Sequence, residues 1–194
     1  MIRVSIVGST GYTGGELLRY LVRHPEATIA HVTSESFVGQ PIHRIHKFLK
    51  GRLGLVCEKL NTAAIAKDSD VVFLGLPHGT SAKTAAAILS KGPKVIDLSA
   101  DFRLKDLKIY KTWYGRHAAP HLVKEAVYGL PERYRDEIRA ARLVANPGCY
   151  ATTSILAGLP LVEGKLLGPG PIIVDAKSGV SGAGRKVETA YLYS

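Results

Sequence analysis

The sequence predicts an α/β protein with a doubly wound parallel sheet, followed by the beginning of an α+β domain. The main observation is an alternation of short apolar runs with helical stretches, which is typical of βαβ units. The first apolar run, residues 2–7, leads directly into a glycine-rich turn at residues 8–15. The chain of 194 residues is long enough for one such domain and part of a second.

The predicted elements are short and bounded by turn residues. The predicted strands cover residues 2–7, 28–33, 70–76, 94–98, 143–145 and 171–176. The predicted helices cover residues 16–23, 80–91 and 149–161. Residues 105–142 are longer and less regular than the other connections. We therefore expect a first domain at residues 1–147 and the incomplete start of a second at residues 148–194.

Composition and charge narrow the class of protein. Apolar residues make up 46% of the chain and charged residues 22%, which excludes a disordered protein. The net charge is +10, but the basic residues are scattered, and we find no nucleic-acid-binding motif. The densest basic group is Arg44, Lys47, Lys50 and Arg52. We therefore predict anionic small molecules as partners and no nucleic acid.

Targeting signals and disulfides are not predicted. No apolar run is long enough to cross a bilayer, so we expect no membrane partner. The N-terminal apolar stretch, residues 1–7, is too short for a signal peptide. Cys57 and Cys149 are the two cysteines, too few for a disulfide framework. A cytoplasmic location is the simplest expectation, and we predict no metal site.

The glycine-rich turn has the G-x-x-G-x-x-G spacing and lies between a strand and a helix. Glycines allow the backbone to approach a diphosphate closely, and the helix N-terminus offers free N–H groups to it. The sequence therefore predicts a Rossmann-type dinucleotide site. Its expected residues are Gly8, Ser9, Thr10, Gly11, Tyr12, Thr13 and Gly14.

The end of the second predicted strand should meet the adenosine ribose of such a cofactor. Ser34 brings a hydroxyl group that suits a 2′-phosphate, whereas the carboxylate of Glu35 favours a free 2′-hydroxyl. The residues thus leave the choice between NADP and NAD open.

Two further strand ends carry candidate residues. Pro77 and His78 follow the buried strand at 70–76, and we expect them to shape the wall beside the cofactor. His78 is either a catalytic base or a positioned loop histidine. Arg103, after the next strand, is either a bidentate ligand of a phosphate or carboxylate or a structural partner of Asp101.

Cys149 is the predicted nucleophile. It begins a helix directly after Asn146, Pro147 and Gly148, and a helix N-terminus stabilises a thiolate and an oxyanion. Cys57 lies in an apolar run and fits the ordinary role of a buried cysteine. After the last predicted strand, small residues and positive charge would let a ligand approach, unless the segment is only a surface loop. This segment includes Lys177, Ser178, Gly179, Gly182 and Arg185.

Five segments together resemble the N-acetyl-γ-glutamyl-phosphate reductase family of arginine biosynthesis, which is similar in chemistry to aspartate-semialdehyde dehydrogenase. They are Gly-Ser-Thr-Gly-Tyr-Thr-Gly-Gly-Glu-Leu from residue 8, Asp-Leu-Ser-Ala-Asp-Phe-Arg-Leu from residue 97, Tyr-Gly-Leu-Pro-Glu from residue 128, Asn-Pro-Gly-Cys-Tyr-Ala-Thr from residue 146 and Lys-Ser-Gly-Val-Ser-Gly-Ala-Gly-Arg from residue 177. They span the chain in family order.

The resemblance implies a reaction and roles for residues. Cys149 would attack an acyl phosphate, phosphate would leave, and NADPH would reduce the thioester to a semialdehyde. Arg103 and Asn146, with Lys177, would hold the phosphate or acyl end, and the segment at residues 178–182 would lie near the nicotinamide. The second domain would serve substrate binding and dimerisation, so the intact enzyme would be a homo-oligomer.

The sequence departs from the family in two places. Family members are longer and carry a catalytic histidine in a His-Arg-His-x-Pro-Glu stretch, which this sequence lacks, so the chain alone could be inactive. Relatives often carry a basic residue where this chain has Glu35. Two alternatives stay open: the carrier-protein-linked aminoadipyl-phosphate reductase of a lysine pathway, and a non-catalytic dinucleotide-binding module.

Overall fold

A computed structural model describes residues 1–185 of the chain. Its six strands form one sheet in which every neighbouring pair is parallel, in the order β2-β1-β3-β4-β6-β5. The strands are β1 (Ile2–Val7), β2 (Ala27–Val32), β3 (Val71–Leu74), β4 (Lys94–Asp97), β5 (Val127–Tyr128) and β6 (Leu143–Ala145). The predicted doubly wound α/β fold is confirmed.

Seven helices accompany the sheet in the described part of the chain. They are α1 (Tyr12–Leu21), α2 (Ile42–Ile45), α3 (Thr62–Asp68), α4 (Ser81–Leu89), α5 (Leu107–Tyr114), α6 (Pro131–Ala140) and α7 (Cys149–Glu163). Short 3-10 turns occur at Lys47–Leu49, Pro120–Leu122 and Val180–Ala183. No described helix is long and apolar enough to cross a membrane.

The core lies on both faces of the sheet because side chains alternate along each strand. Ile6 packs with Leu18 of α1 and Ile42 of α2 on one face. The neighbouring Val7 packs on the other face with side chains of α3 and α4, such as Ile65 and Ile88. Helices on both faces explain why the strands are apolar runs rather than alternating ones.

The strand order places a topological switch point between β1 and β3. From β1 the chain moves to β2 on one side and then crosses to β3 on the other. In open parallel sheets ligands bind at such a point, outside the carboxyl ends of the strands. The loops after β1, β3, β4 and β6 all leave the sheet at this edge, because the strands are parallel.

The structure corrects one predicted strand. Residues 171–176 have no strand pairing, although their apolar, β-branched composition predicted a strand. A strand needs a neighbour to accept its backbone hydrogen bonds, and the described chain supplies no partner strand for this segment. Ile173 is 89% exposed, so the segment is not buried within the described residues. The domain boundary at 147/148 stays a prediction, and residues 186–194 of the expected second domain lie outside the described residues.

Candidate functional site

The glycine loop after β1 is built around a close approach of two backbones. Gly8 has a φ of +80°, and a Cβ there would lie 2.4 Å from the carbonyl oxygen of Gly75, which follows β3. A Cβ on Gly14 would lie 2.6 Å from the carbonyl oxygen of Ser9. Only glycine fits either position without moving the backbone. The two glycines therefore bring the loops after β1 and β3 together at the switch point.

Helix α1 begins at Tyr12, four residues earlier than predicted, with Gly11 as its N-cap. No side chain in the described residues caps its first turn, so free backbone N–H groups face the loop. Gly14 and Gly15 are buried inside the helix. The two glycines therefore allow close packing of α1, and they do not extend the turn to residue 15 as predicted.

Hydrogen bonds tie this loop to the end of β2. The Ser9 hydroxyl is buried and donates to the carbonyl oxygen of Thr33 at 2.9 Å. The Gly8 N–H donates to the Thr33 hydroxyl at 3.3 Å. The Thr10 and Ser34 hydroxyls lie 2.9 Å apart, within hydrogen-bonding distance. Ser9 therefore positions the loop, whereas Thr10 and Ser34 form a hydroxyl pair beyond β2.

His46 supports the loop from the other side. Its Nε2 donates to the carbonyl oxygen of Ser9 at 2.9 Å. Its ring packs on Gly15, where a Cβ would lie 2.7 Å from the ring's Cε1. Burial lowers the pKa of His46, and this is only partly opposed by the hydrogen bond with Ser9.

Two buried carboxylates fix the loops after β3 and β4. Asp97 is fully buried and accepts hydrogen bonds from the hydroxyls of Ser81, at 2.5 Å, and Ser99, at 2.7 Å. Burial raises the pKa of Asp97, against the opposing effect of these hydrogen bonds. Asp101 is also buried and accepts from the backbone N–H groups of Gly79, at 2.7 Å, and Ala82, at 2.8 Å.

His78 contacts the loop after β4 and the ring of Tyr114. Its Nδ1 accepts from the backbone N–H of Ala100 at 2.9 Å, which leaves the proton of the neutral ring on Nε2. Its ring meets Tyr114 edge-on, with the centroids 5.4 Å apart. Pro77 lies beside it in the same loop, and its carbonyl oxygen accepts from the Thr80 hydroxyl at 2.8 Å.

Arg103 joins two strand ends and does not form an ion pair with Asp101 in the described structure. Its Nε donates to the carbonyl oxygen of Asn146 and its Nη2 to that of Leu98, both at 2.7 Å. Its Nη1 lies close to Gly148, where a Cβ would be 3.1 Å away. Arg103 therefore supports the turn before Cys149 and leaves donors for a ligand.

Cys149 is an exposed free thiol at the first position of α7, whose N-cap is Gly148. No side chain in the described residues caps this helix end. Cys57, by contrast, is a buried core residue, and burial raises the pKa of its thiol. Of the two thiols, Cys149 is therefore the accessible one, at a helix N-terminus.

Three cavities meet at Cys149. The central cleft, of about 670 Å³, lies between the glycine loop and the cysteine, and the predicted site residues that line it are Gly8, Gly11, Tyr12, Thr13, Gly14, His78, Arg103, Asn146, Cys149 and Gly182. The Tyr128 cavity, of about 440 Å³, is lined by Arg103, Tyr114, Tyr128 and Cys149 among others. The Lys177 cavity, of about 250 Å³, includes Cys149, Lys177 and Ser178.

The remaining predicted residues lie outside the central cleft. Ser9 is buried beneath the loop, and Pro77 neighbours His78. Gly179 is the N-cap of the 3-10 turn at Val180–Ala183. Lys177 pairs with Asp175 on the exposed surface.

Thr10 and Ser34 stand at the outer corner of the central cleft. Their hydroxyl pair lies beside Arg185, whose Nη1 donates to the Thr10 carbonyl oxygen at 2.8 Å. Both hydroxyls therefore lie next to a positive charge that comes from a distant part of the sequence.

Three residues that contribute to the site were not predicted as site residues from the sequence. Gly75 showed only as a glycine inside the strand predicted at residues 70–76, a recognisable signal of a close backbone approach. His46 gave no such signal, because its contacts with residues far apart in the sequence arise only from the fold. Tyr128 belongs to one of the segments that resemble the family, but no position at the site followed from that segment. The sequence identified Arg185 as a positive charge but did not show where in the fold its side chain lies.

Two family profiles match the chain. One, described as semialdehyde dehydrogenase, NAD binding domain, matches residues 3–141. The other, described as semialdehyde dehydrogenase, dimerisation domain, matches residues 149–194.

Curated relatives are similar over almost the whole chain. The N-acetyl-gamma-glutamyl-phosphate reductase of Desulforudis audaxviator is 52% identical over 186 residues, which are 95% of this chain and 54% of that protein. That of Thiobacillus denitrificans is 52% identical over an alignment of 195 positions, which covers 100% of this chain and 57% of that protein. The chain therefore spans about half the length of the curated relatives it matches.

Solved structures share the fold. Aspartate semialdehyde dehydrogenase from Candida albicans, solved with NADP, has a TM-score of 0.60 at 16% identity, covering 84% of this chain and 47% of that one. Aspartate semialdehyde dehydrogenase II from Vibrio cholerae has a TM-score of 0.55 at 20% identity, with the same coverage.

Proposed function

Because the chain belongs to the semialdehyde dehydrogenase family, we propose that it provides the cofactor site and the nucleophile of an NADPH-dependent N-acetyl-γ-glutamyl-phosphate reductase in arginine biosynthesis. The observation that carries the proposal is the position of Cys149. It stands at the N-terminus of α7, beside Arg103, where the cleft from the glycine loop meets the Tyr128 cavity. The names and identities of the curated relatives support the choice of substrate.

The glycine loop fits a nicotinamide dinucleotide. Gly8 and Gly14 allow the tight backbone turn that forms the glycine loop, and the uncapped first turn of α1 offers N–H groups and the positive end of its dipole to a diphosphate. Thr13 and His78 line the walls of the same cleft. When bound, the nicotinamide supplies the hydride that turns a thioester into an aldehyde.

Cys149 performs the covalent step. Its sulfur attacks the acyl carbon, the new carbon–sulfur bond forms, and the carbon–oxygen bond to phosphate breaks with its electrons passing to the leaving phosphate. The uncapped N-terminus of α7 stabilises the thiolate before the attack and the oxyanion that develops during it. After reduction, the carbon–sulfur bond breaks and Cys149 returns to its thiolate.

Arg103 holds the anionic end of the substrate. Two of its five donors are bound to the carbonyl oxygens of Asn146 and Leu98, so its guanidinium is fixed before substrate arrives. The remaining donors suit a phosphate or carboxylate oxygen in the Tyr128 cavity. Asn146 belongs to the turn that places Cys149, and Lys177, paired with Asp175, lines the neighbouring cavity.

We further propose that the intact enzyme is a homo-oligomer in the cytoplasm. The dimerisation-domain profile over residues 149–194 supports self-association. Two free thiols, Cys57 and Cys149, support a reducing compartment.

The proposal is tested by steady-state assay of the full-length protein. We expect phosphate-dependent reduction of NADP⁺ with N-acetylglutamate 5-semialdehyde. Cys149→Ser should lower kcat by about 10³-fold or more, because the hydroxyl is a far weaker nucleophile. The matched variant Cys57→Ala removes the other thiol and should keep kcat. Activity only with a carrier-bound aminoadipate semialdehyde, or full activity of Cys149→Ser, would contradict the proposal.

A further inference from the structure

Arg185 reaches the cofactor loop from the far end of the described chain. Its Nη1 donates to the carbonyl oxygen of Thr10 at 2.8 Å, across 175 positions of sequence. Its guanidinium carbon also lies 5.6 Å from the centroid of the Phe37 ring, a cation–π arrangement. A side chain held by both a hydrogen bond and an aromatic face has a defined place rather than a solvent-averaged one.

That place is the corner beyond β2. The Thr10 hydroxyl lies 2.9 Å from the Ser34 hydroxyl, and the Phe37 backbone N–H donates to the Ser34 hydroxyl at 3.2 Å. Thr10 and Phe37 are thus linked both to Ser34 and to Arg185. In doubly wound folds the adenosine ribose lies at this strand end, so a guanidinium and two hydroxyls gather where its 2′ position would be.

The charges at this corner favour a phosphate over a hydroxyl. Glu35 is exposed next to Ser34, and on its own it would favour the free 2′-hydroxyl of NAD. Arg185 brings a permanent positive charge to the same corner. One of its five N–H donors is bound to Thr10 within the described residues, which leaves paired donors for a phosphate.

We propose that Arg185 is the residue that selects NADP(H) over NAD(H), by binding the 2′-phosphate together with Thr10 and Ser34. The inference rests on the proposed cofactor site. Because Arg185 follows the turn at Val180–Ala183, whose Ser181 and Gly182 line the central cleft, a bound 2′-phosphate also holds this turn against the glycine loop. The positive charge that selects the 2′-phosphate therefore comes from the segment after Cys149, whereas Ser34, which follows β2, contributes a hydroxyl.

The test compares two small probes by titration calorimetry on the full-length protein. Adenosine 2′,5′-bisphosphate carries the 2′-phosphate, whereas 5′-AMP lacks it and is otherwise the same. Arg185→Ala should raise the Kd for adenosine 2′,5′-bisphosphate by about 10- to 100-fold, the range of a charge-assisted hydrogen bond, and leave the Kd for 5′-AMP unchanged. Arg139→Ala, which removes an exposed arginine on α6, should change neither Kd and serves as the matched control.

The outcomes separate the inference from the proposed function. Equal weakening of both probes would assign Arg185 to the adenosine or its 5′-phosphate and overturn its role in selection. An unchanged Kd for both probes would overturn it as well. In either case the wild-type protein would still bind the dinucleotide, and the proposed cofactor site would not be contradicted. Wild-type protein that binds neither the probes nor NADP⁺ would contradict the cofactor site itself, and with it the inference.

Discussion

At the scale of single residues, Gly8 decides how closely the loops after β1 and β3 approach each other. Its positive φ is one reason for glycine, and the distance of 2.4 Å that a Cβ would have from the Gly75 oxygen is a second, independent reason. The first reflects the steric cost of the left-handed region, and the second reflects a clash with backbone that cannot rotate away.

Gly8→Ala should therefore lower the free energy of unfolding by about 2–4 kcal/mol, from the backbone conformation and the clash together. Gly54→Ala is the matched control, because Gly54 has no atom within 4 Å of its Cβ position and no positive φ. It should change stability by less than about 0.5 kcal/mol. Urea denaturation measures both, and equal effects of the two substitutions would show that the contact with Gly75 does not constrain the loop.

His46 shows how one residue couples the glycine loop to pH. Burial lowers its pKa, so between that pKa and its ordinary value near 6.5 the unfolded chain binds more protons than the folded one. Stability then rises with pH through this window. The contribution of His46 to the free energy of unfolding is fully present above about pH 6.5, and it is lost as the pH falls toward the lowered pKa.

His46→Gln should remove this component, because glutamine keeps a donor for the Ser9 oxygen but does not titrate. The component is at most about 1.4 kcal/mol per pH unit, the limit for one proton. Thermal or urea unfolding between about pH 5 and 7, a range around the ordinary histidine pKa, measures it. His24→Gln, at an exposed histidine, is the control. A stability–pH slope that His46→Gln leaves intact would contradict the assignment to His46.

At the scale of elements, β1 and β6 were predicted with their observed bounds, and β2 to β4 within two residues at either end. These strands are short apolar runs between turn residues, so local composition suffices. Helix α1 was predicted to start at residue 16 instead of Tyr12, because Gly14 and Gly15 indicate a turn by local preference. Their burial against Ser9 and His46 outweighs that preference.

The elements that sequence reasoning missed depend mainly on long-range contacts. Strand β5 has only two residues and exists because it pairs with β6. Helices α5 and α6 were hidden in an irregular stretch, and α6 has no buried residue and a kink at Tyr134. Helix α3 did carry a local signal, since Asn61 caps it by accepting from the N–H groups of Ala63 and Ala64.

The predicted site residues also divide into those that local sequence located and those that depend on long-range contacts. Motifs at strand ends located the glycine loop, His78, Arg103 and Cys149, because parallel strands bring their carboxyl ends to one edge. The partners of these residues could not be located in this way. Arg103 binds the backbone of Asn146 and Leu98 instead of Asp101, and Arg185 meets Thr10 from the opposite end of the chain.

At the scale of the whole molecule, the site combines two parts of the chain with different packing. Both core clusters are formed by residues up to Ala145 in the described structure. Helix α7 has no buried residue there, and Leu161 and Val162 are exposed. The sheet thus provides a rigid edge, and Cys149 stands where α7 leaves it, held through the turn that Arg103 supports.

Trapping the acyl-enzyme shows whether Cys149 carries the acyl group. Full-length protein is mixed with N-acetylglutamate 5-semialdehyde and NADP⁺ without phosphate, and its intact mass is measured. We predict one acyl group per chain as a thioester on Cys149, one equivalent of NADPH, and release of the acyl group on adding phosphate. Cys57→Ala should be acylated like the wild type and Cys149→Ser should not. Turnover with no adduct, or an adduct on another residue, would show that Cys149 is not the nucleophile.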